Sequence, residues 1–161
     1  MAPPSITEVK TPQSRCRFAI AWADITPPPG IYHRMWGAAK HERATGVHRP
    51  LRVTVAVFGA AGAGPRSPDT QQILIALDHC VLGAGEHQQL VSHIAQSAGQ
   101  PADDILVVFS HTHAAGLMGL ERAALPGGDL IPSYLASVAE RAAELVKECV
   151  ARLAPAAIVY G

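Results

Sequence analysis

Two histidines separated by a single residue are the side chains of this sequence best suited to chemistry. They are His111 and His113, within the sequence Ser-His-Thr-His at residues 110–113. The apolar run at residues 105–110 is predicted to be a β-strand, and on an extended segment residues i and i+2 point to the same side. Neutral imidazoles bind zinc at about 2.0–2.1 Å, and functional sites gather at strand ends in open α/β sheets. The pair therefore indicates a metal site at the end of a strand.

The same pair has a second interpretation, because two ligands do not complete a catalytic zinc centre. Such centres normally have three protein ligands and a water molecule. An isolated pair also arises by chance, with one imidazole ending the strand and the other solvated. The long loop at residues 31–50 offers three further candidate ligands, and their spacing selects none of them: His33, His41 and His48. The remaining histidines are predicted to be structural or solvated: His79, His87 and His93.

Other reactive side chains give weaker signals. Asp78 ends an apolar run, where it fits either a carboxylate that orients a liganding imidazole or a turn residue. Asp24 is predicted to be a turn residue. Cys80 is not predicted to pair with His79 as nucleophile and base, because neighbours on a strand point to opposite faces. The sequence has no Gly-x-Ser-x-Gly elbow, phosphate loop or nucleotide fingerprint. A metal-free hydrolase that uses Ser110 or Cys80 as its nucleophile therefore has little support.

The composition is that of one folded globular domain. The chain has 161 residues, of which 48% are apolar and 16% are charged. This is enough for one hydrophobic core and too little for two comfortable domains. The 13 basic residues balance the 13 acidic ones, so binding to nucleic acid or to an anionic membrane surface is not expected.

Cysteine usage and the N-terminus bear on the location of the protein. The cysteines are widely spaced and form no Cys-x-x-Cys pair, which favours small buried thiols in a reducing compartment: Cys16, Cys80 and Cys149. Residues 1–15 lack the apolar stretch of about 7–15 residues that a signal peptide needs. The apolar runs elsewhere are shorter than the ~20 residues of a transmembrane helix. We expect a cytoplasmic protein, or a secreted or periplasmic one if a leader has been removed.

Periodicity predicts alternating strands and helices after a flexible arm at residues 1–15. The predicted strands are at residues 16–22, 51–58, 72–79 and 105–110 and from residue 156, and the predicted helices are at residues 86–98 and 132–153. Gly99 suits a helix C-terminus and Pro132 a first helical turn. The strand at residues 105–110 is continuously apolar and is predicted to be central and buried on both faces. The order β-loop-β-β-α-β-α-β predicts an α/β fold with a mixed sheet over residues 16–161.

Four short segments follow one another in an order that is found in one enzyme family. They are Ala-Asp-Ile-Thr-Pro-Pro-Pro-Gly at residues 23–30, Thr-Gly-Val-His-Arg-Pro-Leu at 45–51, a strand ending Ala-Leu-Asp at 76–78, and Ser-His-Thr-His at 110–113. Together they resemble the N-terminal region of the neutral/alkaline non-lysosomal ceramidases. Each segment alone is weak, and their common order makes the resemblance specific.

The resemblance implies a zinc-dependent amidohydrolase. Ceramidases of this family cleave the amide bond of ceramide, and their Zn²⁺ is held by two histidines, a glutamate and a tyrosine. The first histidine of the motif, here His111, is implied to be a ligand. The second, here His113, is implied to face the substrate and to polarise the amide or stabilise the oxyanion. A metal that acidifies water and acts as a Lewis acid suits amide hydrolysis, and the implied substrate is a ceramide-like lipid or a related small amide.

Two departures from the family pattern limit what residues 1–161 are expected to do. The family usually has Ser-Gly-Pro after the second histidine, whereas residues 114–116 are Ala-Ala-Gly, which suggests another substrate. Family members run to several hundred residues, so a single incomplete, truncated domain with part of the zinc site is expected. The alternative is a non-catalytic assembly module that keeps the fold. A last strand that ends with the chain would leave an unpaired sheet edge, which predicts oligomerisation.

Overall fold

A computed structural model describes residues 13–35, 37, 39–62 and 71–160 of the chain. In these ranges five strands and two α-helices follow one another in the predicted order. They are β1 (Gln13–Asp24), β2 (Arg52–Ala60), β3 (Gln71–Leu77), α1 (Ala84–Ala98), β4 (Ile105–Phe109), α2 (Ile131–Arg152) and β5 (Ala154–Val159). Three short 3₁₀ turns complete the path: Ala102–Asp104, Leu120–Arg122 and Gly128–Leu130.

The bounds of these elements differ from the predicted ones by a few residues. β1 begins at Gln13, inside the predicted arm, and residues 1–12 lie outside the described ranges. β3 ends at Leu77 rather than at residue 79, which proves important for the site. The connector at residues 59–71, whose Gly, Pro and Ser content predicts the exposed tip of a hairpin, lies mostly outside the described ranges. β2 and β3 pair antiparallel as a hairpin requires.

The strands form one mixed sheet in the order β4-β3-β2-β1-β5. β1 pairs antiparallel with β2 and with β5, β2 pairs antiparallel with β3, and β3 pairs parallel with β4. Parallel neighbours need a crossover connection, and α1 provides it between β3 and β4. The predicted α/β fold with a mixed sheet is thereby confirmed.

The prediction that the strand after residue 105 is central and buried on both faces is wrong. β4 lies at one end of the sheet order, and its side chains alternate between half-buried and exposed. Ile105, Val107 and Phe109 pack against the core, whereas Leu106 is 61% exposed and Val108 is 37% exposed. A short apolar run does not reveal how many neighbours a strand has, because apolar residues also occupy exposed positions on edge strands.

Both helices cover the same face of the sheet. The inward residues of β2 and β3 are almost fully buried: Val53, Val55, Val57, Ile73, Ile75 and Leu77. α2 presents a buried stripe at helical spacing against them: Tyr134, Val138, Ala142, Leu145 and Cys149. Burial of one such aliphatic side chain stabilises the fold by roughly 1.5–3 kcal/mol.

The ends of the two helices are as predicted: α1 ends at a left-handed Gly99, and Pro132 lies in the first turn of α2. No helix in the described part of the chain is long and apolar enough to cross a membrane.

A buried polar pair links the end of β3 to the start of α2. His79 is fully buried, and its Nε2 lies 2.7 Å from the Tyr134 hydroxyl oxygen. That hydroxyl in turn donates a hydrogen bond of 2.8 Å to the carbonyl oxygen of Ile25. Burial lowers the pKa of His79 to about 4, although the Asp78 carboxylate acts in the opposite direction. His79 is therefore a neutral structural residue, as the sequence predicted.

We expect His79 to make folding stability pH-dependent below neutrality. Its pKa is 6.5 when unperturbed and about 4 in the fold, so the unfolded chain binds more protons between these values. Stability is therefore expected to fall as the pH drops from about 6.5 to 4, by up to about 3 kcal/mol from this residue. The free energy of unfolding, measured with denaturant across this range, should fall less steeply with decreasing pH for His79→Gln than for the unchanged protein. The variant His48→Gln, at an exposed position, is the matched control. The same pH dependence in all three proteins would contradict the assignment.

Candidate metal centre

The parallel pairing of β3 and β4 brings two chain segments out of the sheet at the same edge. Leu77 lies opposite Phe109 at the end of the ladder. The Ser110 amide then donates a hydrogen bond of 3.0 Å to the Leu77 carbonyl oxygen. Residues 78–80 and residues 111–113 therefore leave the sheet side by side, at the carboxyl ends of parallel strands where α/β folds place their ligands.

At this edge Cys80, His111 and His113 form a group of metal-ligating type. One potential ligand atom from each of the three lies within 4.8 Å of the others. Cys80 is buried, and both histidines are exposed. The rings of His111 and His113 have centroids 5.1 Å apart and stand edge to face. The structure therefore brings together the two predicted histidines and adds a thiol.

Cys80 was not predicted as a ligand, because its partner is defined by the pairing of β3 with β4 and not by any local pattern. β3 ends at Leu77, and residues 78–80 form a bend. The argument from strand alternation does not apply to His79 and Cys80, because both lie in this bend. It also gave no information about a partner 31 positions away. The available signal was a cysteine just beyond an apolar strand, and it becomes informative only once the β3–β4 pairing is known.

The backbone at His111 is not extended. The prediction that the two imidazoles converge because residues i and i+2 of a strand share a side is therefore wrong in its reason. His111 has φ of 57°, and among the described residues no other non-glycine residue has positive φ. The left-handed conformation costs a side-chain-bearing residue about 1–2 kcal/mol. It persists here with a contact of 3.1 Å between His111 Nδ1 and the Cys80 carbonyl oxygen. Strain of this kind concentrates at functional sites.

The long loop after β1 holds the His-Thr-His segment in place. His33 Nε2 lies 2.7 Å from the Ala114 carbonyl oxygen, and the ring of His41 stacks on His33 at 5.5 Å. The loop itself is tied by paired backbone bonds, among them Gly30 N–H to Ala44 O at 2.7 Å. Of the three loop histidines proposed as further ligands, none belongs to the described ligand group. His33 instead positions the segment on which His111 and His113 lie.

A cavity of about 440 Å³ lies between the long loop and the His-Thr-His segment. Its lining includes His33, His48, Arg49, Asp78 and Thr112. Thr112 separates the two histidines of the ligand group, so the cavity lies next to that group. A ligand in this cavity would meet imidazole, guanidinium and carboxylate groups beside the candidate metal centre.

Two predicted turn roles are seen in the structure. The Asp24 carboxylate accepts a hydrogen bond of 2.7 Å from the Thr26 amide. The Thr26 side chain, and then this amide, lower the pKa of Asp24. The Asp78 carboxylate accepts one of 2.9 Å from the Arg52 amide. Asp78 thus links the end of β3 to the start of β2 and lines the cavity. Its other predicted role, as a partner that orients a liganding imidazole, stays a prediction.

A second cavity, of about 330 Å³, lies between α1 and α2. It is lined mainly by aliphatic side chains, with His79, Glu86 and His93 among them. None of the three grouped ligand residues lines it. The cavity beside the long loop is lined by Thr112 of the His-Thr-His segment and by Ala114 just after it, next to the ligand group.

The fold is similar to that of two solved ceramidase structures. A structure described as ceramidase complexed with C2 matches 91% of this chain with a TM-score of 0.67 and 15% identity. The crystal structure of neutral ceramidase from Pseudomonas aeruginosa matches 85% with a TM-score of 0.55 and 17% identity. This chain covers 22% of each of those chains.

Comparison of the sequence alone finds no relative. No protein-family model matches this chain, and no curated protein matches it. The resemblance to ceramidases stated from four short segments is nevertheless confirmed in the fold. What the comparisons define is a ceramidase-like α/β fold that spans about a fifth of the similar proteins.

We expect the close approach of Gly116 to the long loop to be essential for the geometry of the segment. Gly116 has φ of 77°, and a Cβ there would lie 3.2 Å from the His33 Cα. Gly99 has φ of 63° but open space around its Cβ position. Gly116→Ala should therefore lower the free energy of unfolding by about 1 kcal/mol more than Gly99→Ala, which carries only backbone strain. Equal losses in denaturant unfolding would contradict the close packing.

Proposed function

We propose that this chain forms part of the active site of a zinc-dependent amidohydrolase that cleaves an N-acyl amide bond. The observation that carries the proposal is the group of Cys80, His111 and His113 on a fold shared with two ceramidases. The substrate class that fits is a ceramide-like lipid or a related small amide. The chain spans 22% of the matched structures, so further parts of a complete site are proposed to come from outside it.

The chemistry of the donor set fits zinc. Imidazole nitrogen and thiolate sulfur are the ligands that zinc prefers, and the ligand atoms lie close enough to share one ion. We assign His111 as a metal ligand. When bound, zinc supplies Lewis acidity and makes a water molecule acidic enough to act as a nucleophile near neutral pH.

The remaining groups are proposed to act on the substrate. His113 is exposed beside His111, and we propose that its ring donates a hydrogen bond to the amide oxygen as negative charge develops there. The cavity beside the segment would receive the acyl or amine part of the substrate, with His48 and Arg49 on its wall. Of the small residues at 114–116, Ala114 is exposed and would leave room for close approach of a substrate to the backbone, whereas residues 115 and 116 are buried.

A His111→Ala variant tests the proposal. Elemental analysis of the purified chain is expected to find zinc, and the variant is expected to lose it, because His111 is assigned as a ligand. In a longer chain that completes the site, the same variant should lose at least about 100-fold in hydrolysis of an N-acyl amide. His87→Ala, on α1 and outside the ligand group, is the matched control. Full activity retained in His111→Ala would refute the assignment.

A second candidate function is assembly, and one surface favours it. The sheet face opposite the helices carries exposed apolar side chains: Ile20, Trp22, Leu106 and Val108. β5, at the other end of the sheet from β4, adds an exposed Val159 at 62%. An apolar face and an edge strand together promote association with a second copy. Light scattering that finds a single monomeric species would count against this candidate.

A further inference from the structure

The buried thiol of Cys80 faces the imidazole of His111. Its Sγ lies 3.7 Å from Nδ1 and 4.0 Å from Nε2 of that ring. Cys80 is 6% exposed. Cys149, by contrast, is a packing residue on α2, with its Sγ 3.6 Å from the Val55 carbonyl oxygen. Cys80 is therefore a buried thiol beside an imidazole, which is a potential metal ligand, whereas Cys149 only packs in the core.

The backbone of the same residue fixes the tautomer of the ring. His111 Nδ1 lies 3.1 Å from the Cys80 carbonyl oxygen, and a carbonyl only accepts, so Nδ1 carries the hydrogen and donates it. Nε2 is then left with its lone pair in the neutral ring. Metal-ligating histidines usually donate their other ring N–H to a carbonyl or carboxylate. Cys80 thus supplies both the thiol and the bond that orients its partner.

The spacing of the two donors suits a shared ion. With Zn–S of about 2.3 Å and Zn–N of about 2.0–2.1 Å, tetrahedral geometry places the two ligand atoms about 3.6 Å apart. The separation of 4.0 Å between Sγ and Nε2 exceeds this by a few tenths of an ångström. His111 is exposed, so a rotation of its ring that moves Nε2 by a few tenths of an ångström, small enough to keep the contact with the Cys80 carbonyl, would close the difference.

We infer that Cys80 is a second metal ligand beside His111, binding zinc or a similar borderline divalent cation as its thiolate. This inference deepens the proposed function and rests on its metal centre. It adds a sulfur donor to a site for which the resemblance implied only histidine, glutamate and tyrosine. Both anchors then come from within this chain, and His113 keeps the proposed role of contact with the substrate.

Cobalt(II) is the probe for this assignment, because it occupies zinc sites and absorbs strongly when a thiolate binds it. Titration of the reduced chain with cobalt is expected to give a thiolate-to-cobalt charge-transfer band in the near ultraviolet. Cys80→Ser should abolish the band and weaken cobalt binding by at least about tenfold. Cys16→Ser, at a half-buried position on β1, is the matched control and should keep the band.

A second variant keeps the test decisive if Cys80→Ser does not fold. The chain contains 3 cysteines, so Cys16→Ser combined with Cys149→Ala leaves Cys80 as its sole thiol. The band is expected to persist in this double variant. Cobalt bound by the unchanged chain without the band, or a band retained in folded Cys80→Ser, would overturn the inference.

The outcomes separate this inference from the proposed function. A band that depends on Cys80, in a longer chain that does not hydrolyse N-acyl amides, supports the ligand and refutes the amidohydrolase. Hydrolysis that depends on His111, with metal bound and no thiolate band, supports the amidohydrolase and refutes the ligand.

Discussion

The parallel pairing of β3 with β4 is the constraint on which the candidate site depends. Cys80 and His111 are 31 positions apart in the chain, and they meet because their strands end together at one edge of the sheet. The hydrogen bond from the Ser110 amide to the Leu77 carbonyl carries the ladder to the point where both segments turn away. α1 makes this pairing topologically accessible, since parallel neighbours require a crossover. The site is therefore a product of strand order more than of any local motif.

The two segments that leave the sheet are held by different sets of contacts. On the β3 side, buried His79 is bonded to Tyr134 of α2, which fixes the backbone immediately before Cys80. On the β4 side, the His-Thr-His segment is held by the contact of His33 with the Ala114 carbonyl and by the close approach of Gly116 to the long loop. These anchors offset the cost of the left-handed backbone at His111. A rigid setting for exposed imidazoles suits metal binding better than a mobile loop would.

Periodicity predicted the elements of this fold well and their neighbours poorly. The amphipathic stripe of α2, the cap at Gly99 and the fold class followed from spacing that the helices and strands themselves impose. The edge position of β4 could not be predicted, because an apolar run such as Ile105–Phe109 does not show how many strands pair with it. Cys80 was missed for the same reason, since its partner is defined by strand pairing. The left-handed His111 was also beyond prediction, because histidine seldom adopts that conformation without tertiary contacts.

Zinc K-edge X-ray absorption on the zinc-loaded chain tests the central claim most directly, namely that the end of β3 and the turn after β4 form one metal centre. The claim requires a sulfur neighbour at about 2.3 Å together with nitrogen neighbours at about 2.0–2.1 Å. Among the described residues, the group that could supply both is Cys80 at the end of β3 with His111 and His113 after β4. A first shell of oxygen and nitrogen atoms alone would contradict the account.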